Sequence, residues 1–258
     1  MKMALFDLSG RVAIITGGNG GIGLGIAQGL VECGASVVIS GRDAGKSAAA
    51  VDQLNAIRPE AAIAIACDVT KPEQITSLVQ QTVDRLGGLQ IMVNNAGIGI
   101  RKRPEAYTLD EYNQVMNTNM TAIFLCCQAA YAPMRDGGGG KIINIGSMAS
   151  LFGHPYAPIY AASKGGVVQF SRSLAIAWAE QNIQVNSILP GWIDTNMTAG
   201  ARSYMPDLEE RVVRRTPAGR WGKPYDLAGL ACFLAAPASD FVTGTAIPCD
   251  GGYSIHMP

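Results

Sequence analysis

Tyr160 and Lys164, four residues apart in the run Pro158-Ile-Tyr-Ala-Ala-Ser-Lys-Gly165, are the side chains of this sequence best matched to proton chemistry. On a helix, a spacing of four places both on one face, within reach of a shared ligand. A phenol titrates near about 10 and keeps its proton at neutral pH. A neighbouring ammonium favours the phenolate, and each unit of lowering corresponds to about 1.4 kcal/mol. Such a pair can move a proton on or off an alcohol oxygen.

A second chemical signature lies near the start of the chain. The run Val12-Ala-Ile-Ile-Thr-Gly-Gly-Asn-Gly-Gly-Ile-Gly23 joins an apolar stretch to a helical one through glycines. Gly17, Gly21 and Gly23, with Asn19 and Ile22 between them, allow a tight turn. They let backbone N–H groups approach a pyrophosphate at a helix N-terminus. The alternative is a glycine-rich turn without a ligand. The next strand ends in Ser40-Gly41-Arg42-Asp43. No acid stands at the strand's end, where one would bind a ribose 2′-hydroxyl, and the Arg42 guanidinium suits a 2′-phosphate. NADP is therefore favoured over NAD, with Asp43 as the contrary sign and a surface Arg42–Asp43 pair as the alternative. Asp68, beside Val69, could accept from the adenine amino group or could cap the helix that follows.

Positioning these groups requires strands alternating with helices. Strands are expected at residues 12–16, 36–40, 63–67, 89–94, 141–145, 184–189 and 245–248, with helices at 21–33, 44–57, 72–86, 109–133, 159–180 and 224–235. The alternation predicts a doubly wound parallel sheet of about seven strands, helices on both faces, in an α/β fold. The four-glycine stretch 137–140 is too short to divide domains, so one domain is expected over residues 1–258. Lys+Arg and Asp+Glu number 20 each in the 258 residues, which supplies no broad field for nucleic acid or an anionic membrane. The first ten residues lack a secretory apolar stretch, and no apolar run reaches spanning length, so a cytoplasmic protein is expected. Six cysteines without a Cys-x-x-Cys read as reduced buried thiols, and His154 and His256 alone give no zinc set.

Taken together, Thr16–Gly23, Asp68-Val69, Asn94-Asn-Ala-Gly97, Asn119, Ser147, Tyr160-x-x-x-Lys164 and Pro190-Gly191 with Thr195 resemble the classical short-chain dehydrogenase/reductase family. The resemblance spans essentially the whole chain and implies a Rossmann domain, with a dinucleotide-binding part at 1–146 and a catalytic, substrate-binding part at 147–258. It implies that Tyr160 exchanges a proton with the substrate oxygen while hydride moves to or from the nicotinamide. Lys164 would lower the tyrosine's pKa and hold the nicotinamide ribose. Ser147 would hydrogen-bond the substrate oxygen, its other reading being a turn or cap serine. Asn119 would anchor a water leading from Lys164 to solvent, with Asn117 as its rival. Asn95, Ala96 and Gly97 would wall the cofactor, and Pro190, Gly191, Ile193 and Thr195 would meet the nicotinamide end. Gly20 stands where many NADP-preferring members carry a basic residue, so Arg42 is the one basic signal.

Three segments should border the substrate: 148–156, 98–103 and 192–216. The last reads as a lid carrying Met197, Tyr204, Met205 and Leu208, with a short helix near 208–214. His154 reads as a loop residue, and Arg101-Lys-Arg103 as a solvated charge run, the alternative being attraction of an anionic substrate. The leading activity is interconversion of a secondary alcohol and a ketone on a small free substrate such as a sugar acid, polyol or hydroxyketone. One alternative is a 3-oxoacyl-(acyl-carrier-protein) reductase. Members of that kind place an arginine near the end of the tyrosine helix, where this chain has Glu180-Gln-Asn182. The other is a non-catalytic cofactor sensor or scaffold. Val167, Phe170 and Leu174 exceed one core face, and the resemblance implies pairing through such helices in a homodimer or homotetramer, with residues 250–258 adding contacts.

Overall fold

In the computed structural model, residues 4–256 are described, the side chains of Ser203 and Tyr204 excepted. The strands are β1 (Val12–Thr16), β2 (Ser36–Gly41), β3 (Ala62–Ala66), β4 (Ile91–Asn94), β5 (Gly140–Ile145), β6 (Ile183–Pro190) and β7 (Ala246–Cys249). They form one sheet in the order β3-β2-β1-β4-β5-β6-β7, every neighbour parallel. Chain order reverses between β1 and β4, which opens a crevice at their carboxyl ends, the general ligand position of such sheets.

The two-residue period of the strands sorts their side chains onto two cores. Ala13, Ile15, Val37, Ile39, Ile91, Val93 and Ile143 pack with α1 (Gly21–Glu32), α2 (Ala44–Ile57) and α9 (Ala228–Ala235). Ile14, Val38, Met92, Ile142 and Val185 pack on the other face with α3 (Pro72–Leu86), α5 (Ala122–Asp136) and α6 (Pro158–Ala177). Central strands are buried on both faces and so are continuously apolar, whereas the edge strands β3 and β7 are partly open. Close approach on the α1 side is set by glycine: a Cβ at Gly25 would lie 2.4 Å from the Pro224 carbonyl atoms.

Three expected helices differ. The segment 109–133 is two helices, α4 (Leu109–Met116) and α5, joined by a π-helical turn at Asn117–Thr121. Here Asn119 is drawn in to bond the Ile98 backbone. The helix of 159–180 starts one residue earlier, with Pro158 in its first turn, and ends at Ala177. A separate 3₁₀ turn, Ala179–Gln181, follows and leads into left-handed Asn182 at φ 56°. The segment 224–235 opens with a 3₁₀ turn, Pro224–Leu227, before α9. In the lid, α8 (Leu208–Arg215) matches expectation, while α7 (Asn196–Tyr204) is an additional helix, started by Thr195 and Thr198 bonding reciprocally. The Tyr204 side chain lies outside the described residues. Among the described residues no helix is long and apolar enough to cross a membrane.

Candidate active site

The site grows from the ends of β1 and β4. Thr16 Oγ1 accepts the backbone N–H groups of Asn95 and Ala96, both at 3.1 Å. Asn95 Nδ2 donates back to the carbonyls of Thr16 and Gly17, each at 3.0 Å. The stitched loop needs glycine at two points. Gly17 has φ +62°, and a Cβ on Gly23 would stand 2.5 Å from the Gly17 carbonyl oxygen. α1 then starts from Gly20, which offers no side-chain cap, so its first N–H groups are left for an outside acceptor, and an anion suits that position.

A cavity of about 500 Å³ runs from this loop to the tyrosine. Gly17, Asn19, Gly21, Ile22, Asn95, Ala96, Gly97, Ser147, Tyr160, Lys164, Pro190, Gly191, Ile193 and Thr195 all line it. Gly23 stands behind the loop. Asn119 is fully buried behind Gly97, where a Cβ would be 3.3 Å from its Oδ1. Arg42, Asp68 and Val69 are not in the cavity wall; they flank its far end at β2 and after β3. Asp68 does not cap α3, whose N-cap is Lys71. It accepts instead from the N–H and hydroxyl of Thr70, bonds that hold its carboxyl below the usual range. Asp43 caps α2 by accepting from the Lys46 N–H at 3.0 Å, rather than pairing with Arg42.

At the other end, Ser147 follows β5 and caps the 3₁₀ turn Met148–Ser150, its Oγ accepting from the Ala149 N–H at 3.1 Å. Ser147 also hydrogen-bonds the Tyr160 phenol. The turn-capping reading of this serine is thus met. Tyr160 and Lys164 lie one turn apart on α6. The Lys164 Nζ sits 5.8 Å from the Tyr160 ring centroid and donates to the Ile145 carbonyl at 2.7 Å. Asn119 Nδ2 donates to the Ile98 carbonyl and to Ser163 Oγ, and its Oδ1 accepts the Ile98 N–H at 2.8 Å. Asn117 is exposed on the same turn.

The expected lowering of the tyrosine by its lysine is not the dominant effect in the protein. Burial pushes the Tyr160 phenol above its ordinary value, opposed by the Ser147 hydrogen bond and by the Arg101 charge. Burial also brings Lys164 down to about 8. Its ammonium points at a carbonyl rather than at the phenol oxygen, so desolvation outweighs mutual attraction. His154 lies in the cavity wall, held below the usual imidazole range by burial and then by Arg101.

A glycine cradle, an uncapped helix start and a buried lysine with two further protons suit a nicotinamide dinucleotide, and comparison with known proteins agrees. The family model described as enoyl-(acyl carrier protein) reductase matches residues 17–254. The 2-dehydro-3-deoxy-D-gluconate 5-dehydrogenase of Escherichia coli K12 is 39% identical over 254 residues, 98% of this chain and 99% of that protein. A 3-oxoacyl-(acyl-carrier-protein) reductase of Chlamydia muridarum is 38% identical over 247 residues, 95% of this chain and 98% of that one. A gluconate 5-dehydrogenase of Burkholderia cenocepacia J2315, solved with NADP and tartrate, superposes with a TM-score of 0.93 at 37% identity, covering 98% and 99% of the two chains. The chain belongs to the classical short-chain dehydrogenase/reductase family.

As a member of that family it is an oxidoreductase interconverting a secondary alcohol and a ketone with a nicotinamide dinucleotide. Within this framework the cavity wall holds three further cations, of which the sequence raised only Arg101, as part of a run that could attract an anionic substrate. Lys46, in the first turn of α2, lines the cofactor end of the cavity, so Arg42 is not the only cation there. Arg101 departs from its neighbours. Lys102 pairs with Glu111 and Arg103 with Glu105, whereas Arg101 faces the cavity rather than belonging to a solvated run. Arg215, at the end of α8, lines it too. Lys46 carried one available signal, its position three residues after the Asp43 cap.

Proposed function

We propose that the protein is an NADP(H)-dependent oxidoreductase acting on a free sugar acid. One observation carries this reading: the cavity containing Ser147 and Tyr160 is lined by Lys46, Arg101, Lys164 and Arg215 and by no aspartate or glutamate. Such a wall suits an anionic cofactor at one end and an anionic substrate at the other. Lys46 and Arg42 serve the 2′-phosphate, and Asp43, held as a helix cap, is turned from the role of ribose acceptor. The relatives named for gluconate chemistry support the substrate class. Glu180, exposed just beyond α6, disfavours docking of an acidic carrier.

In this reading residues 1–146 hold the dinucleotide and residues 147–258 the catalytic groups, within one domain. When bound, the nicotinamide supplies the hydride donor or acceptor. Ser147, its Oγ fixed by Ala149, directs its hydrogen at the substrate oxygen as charge develops there. Tyr160 gives that oxygen its proton in reduction and takes it back in oxidation. Lys164 holds the nicotinamide ribose and exchanges protons with the phenol through bound solvent. The Asn119 amide hydrogens are already used, so an Asn119 carbonyl oxygen holds the water that continues the path. Val167 lies in the core with Phe170 and Leu174 packed against it, so it is Phe124 on α5, 44% exposed, and Ile176 on α6, 82% exposed, that support pairing of these helices in a homodimer or homotetramer.

The test is a panel of ketones and alcohols, acidic and neutral, followed by nicotinamide absorbance with both cofactors. Preferential turnover of sugar acids with NADP(H) is expected. Preference for neutral ketones, or for the unphosphorylated cofactor, refutes the corresponding half.

A further inference from the structure

Arg215 stands apart from the other lid arginines in what holds it. Arg202 is paired with Asp194 and Glu209, and Arg211 with Asp207. No carboxylate pairs with Arg215 among the described residues. Its guanidinium instead lies over two aromatic faces, 4.4 Å from the Tyr253 ring centroid and 5.8 Å from that of Phe152. Its carbonyl is bonded to the His256 ring at 2.9 Å, which fixes the end of α8. The Nε hydrogen is buried and has no partner. A guanidinium clamped by ring faces keeps its in-plane N–H edge free, and that edge matches a carboxylate in two parallel hydrogen bonds. A buried donor left unpaired is costly, so the arrangement calls for an acceptor.

The place of Arg215 says which acceptor. It lines the catalytic cavity and also a second one of about 690 Å³, the two sharing Gly153, His154, Trp192, Arg215 and Tyr253. The second cavity contains none of Ser147, Tyr160 and Lys164, and its wall holds Arg211 and Arg214 but no acid. Arg215 thus marks the junction where a substrate reaching away from the tyrosine would end. We propose that Arg215 binds the substrate's carboxylate there and so selects sugar acids over neutral polyols. This rests on the sugar-acid reading above and assigns the residue that enforces it.

The experiment compares reduction of 5-keto-D-gluconate with that of L-sorbose, which carries a hydroxymethyl group in place of the carboxylate. In Arg215→Met, loss of a paired, charge-assisted contact should raise KM for the acid by about 10- to 100-fold. The kcat, the kcat/KM for L-sorbose and the NADPH dissociation constant should stay within about two-fold, as for removal of binding common to ground and transition states. Arg215→Lys should recover part of the affinity and guards against misfolding of the methionine variant. An unchanged KM for the acid in both variants, with the wild type preferring the acid, overturns the role of Arg215 alone. A wild type that reduces L-sorbose but not the acid overturns the substrate class, and this role with it.

Discussion

Replacing Lys164 by Met separates the cost of burying an ammonium from the chemistry it performs. Lys164 is 3% exposed, and burial lowers it from 10.5 to about 8. Between those values the unfolded chain binds more protons than the folded one, so wild-type stability rises with pH across that window. Below about pH 8 the folded protein carries the full penalty of a charged lysine, about 2.5 × 1.36, or roughly 3 kcal/mol. Substitution removes this penalty and also removes the Nζ bond to the Ile145 carbonyl, worth about 1–3 kcal/mol if that acceptor is left unpaired. At pH 7 the variant should therefore be as stable as the wild type or more stable by up to about 2 kcal/mol. At pH 10 the wild-type lysine is neutral when folded, and most of the penalty is gone.

The decisive quantity is the difference between variant and wild type at the two pH values, since other titrating groups cancel in it. It should fall by about 2.5 kcal/mol from pH 7 to pH 10, read from urea unfolding followed by tryptophan fluorescence. The kcat should drop at both pH values. A stability difference that stays flat with pH would show that Lys164 is not held down by burial, and the reasoning would fail.

Other perturbations probe the remaining parts. Tyr160→Phe should lower kcat by about 10²- to 10⁴-fold while the NADPH dissociation constant, measured by fluorescence, hardly moves. Lys46→Ala and Arg42→Ala should each weaken NADPH about ten-fold and leave NADH unaffected, as titration with both cofactors would reveal. Gly25→Ala forces a Cβ to 2.4 Å from the Pro224 carbonyl atoms. Overpacking of about 1–3 kcal/mol should lower the melting temperature by roughly 3–10 °C, with the kcat of the folded enzyme largely kept.

The sheet was legible because its central strands are buried on both faces and carry unbroken apolar runs such as Ala13–Ile15 and Ile142–Ile143. Parallel crossovers leave few arrangements for such runs. Helix interruptions were less legible. The π-helical turn at Asn117–Thr121 arises from a long-range pairing of Asn119 with Ile98, which no local propensity records. The pairing of Tyr160 with Lys164 could be read because helix geometry fixes their one-turn separation. The cation-lined wall could not. Whether an arginine meets water, an acid or a cavity depends on partners far away in sequence: Arg215 rests on Phe152 and Tyr253, 63 and 38 positions distant. Arg101, Lys102 and Arg103 look alike in the chain, and only the placement of Glu111 and Glu105 tells them apart.

Burial orders the two proton carriers in a way that local sequence could not show. The same low-dielectric pocket raises Tyr160, whose charged form is anionic, and lowers Lys164, whose charged form is cationic. The lysine becomes the stronger acid of the two. In the proposed relay, a phenolate left after protonating a ketone is therefore refilled downhill from Lys164, and Lys164 in turn draws on solvent near its own pKa of about 8. The reverse reaction must move the proton uphill at neutral pH and gains as rising pH strips the lysine. Ketone reduction should accordingly hold its kcat below about pH 8 and lose it above, while alcohol oxidation gains across the same range. Paired pH profiles for the two directions check this, and parallel profiles would contradict the ordering of the two groups.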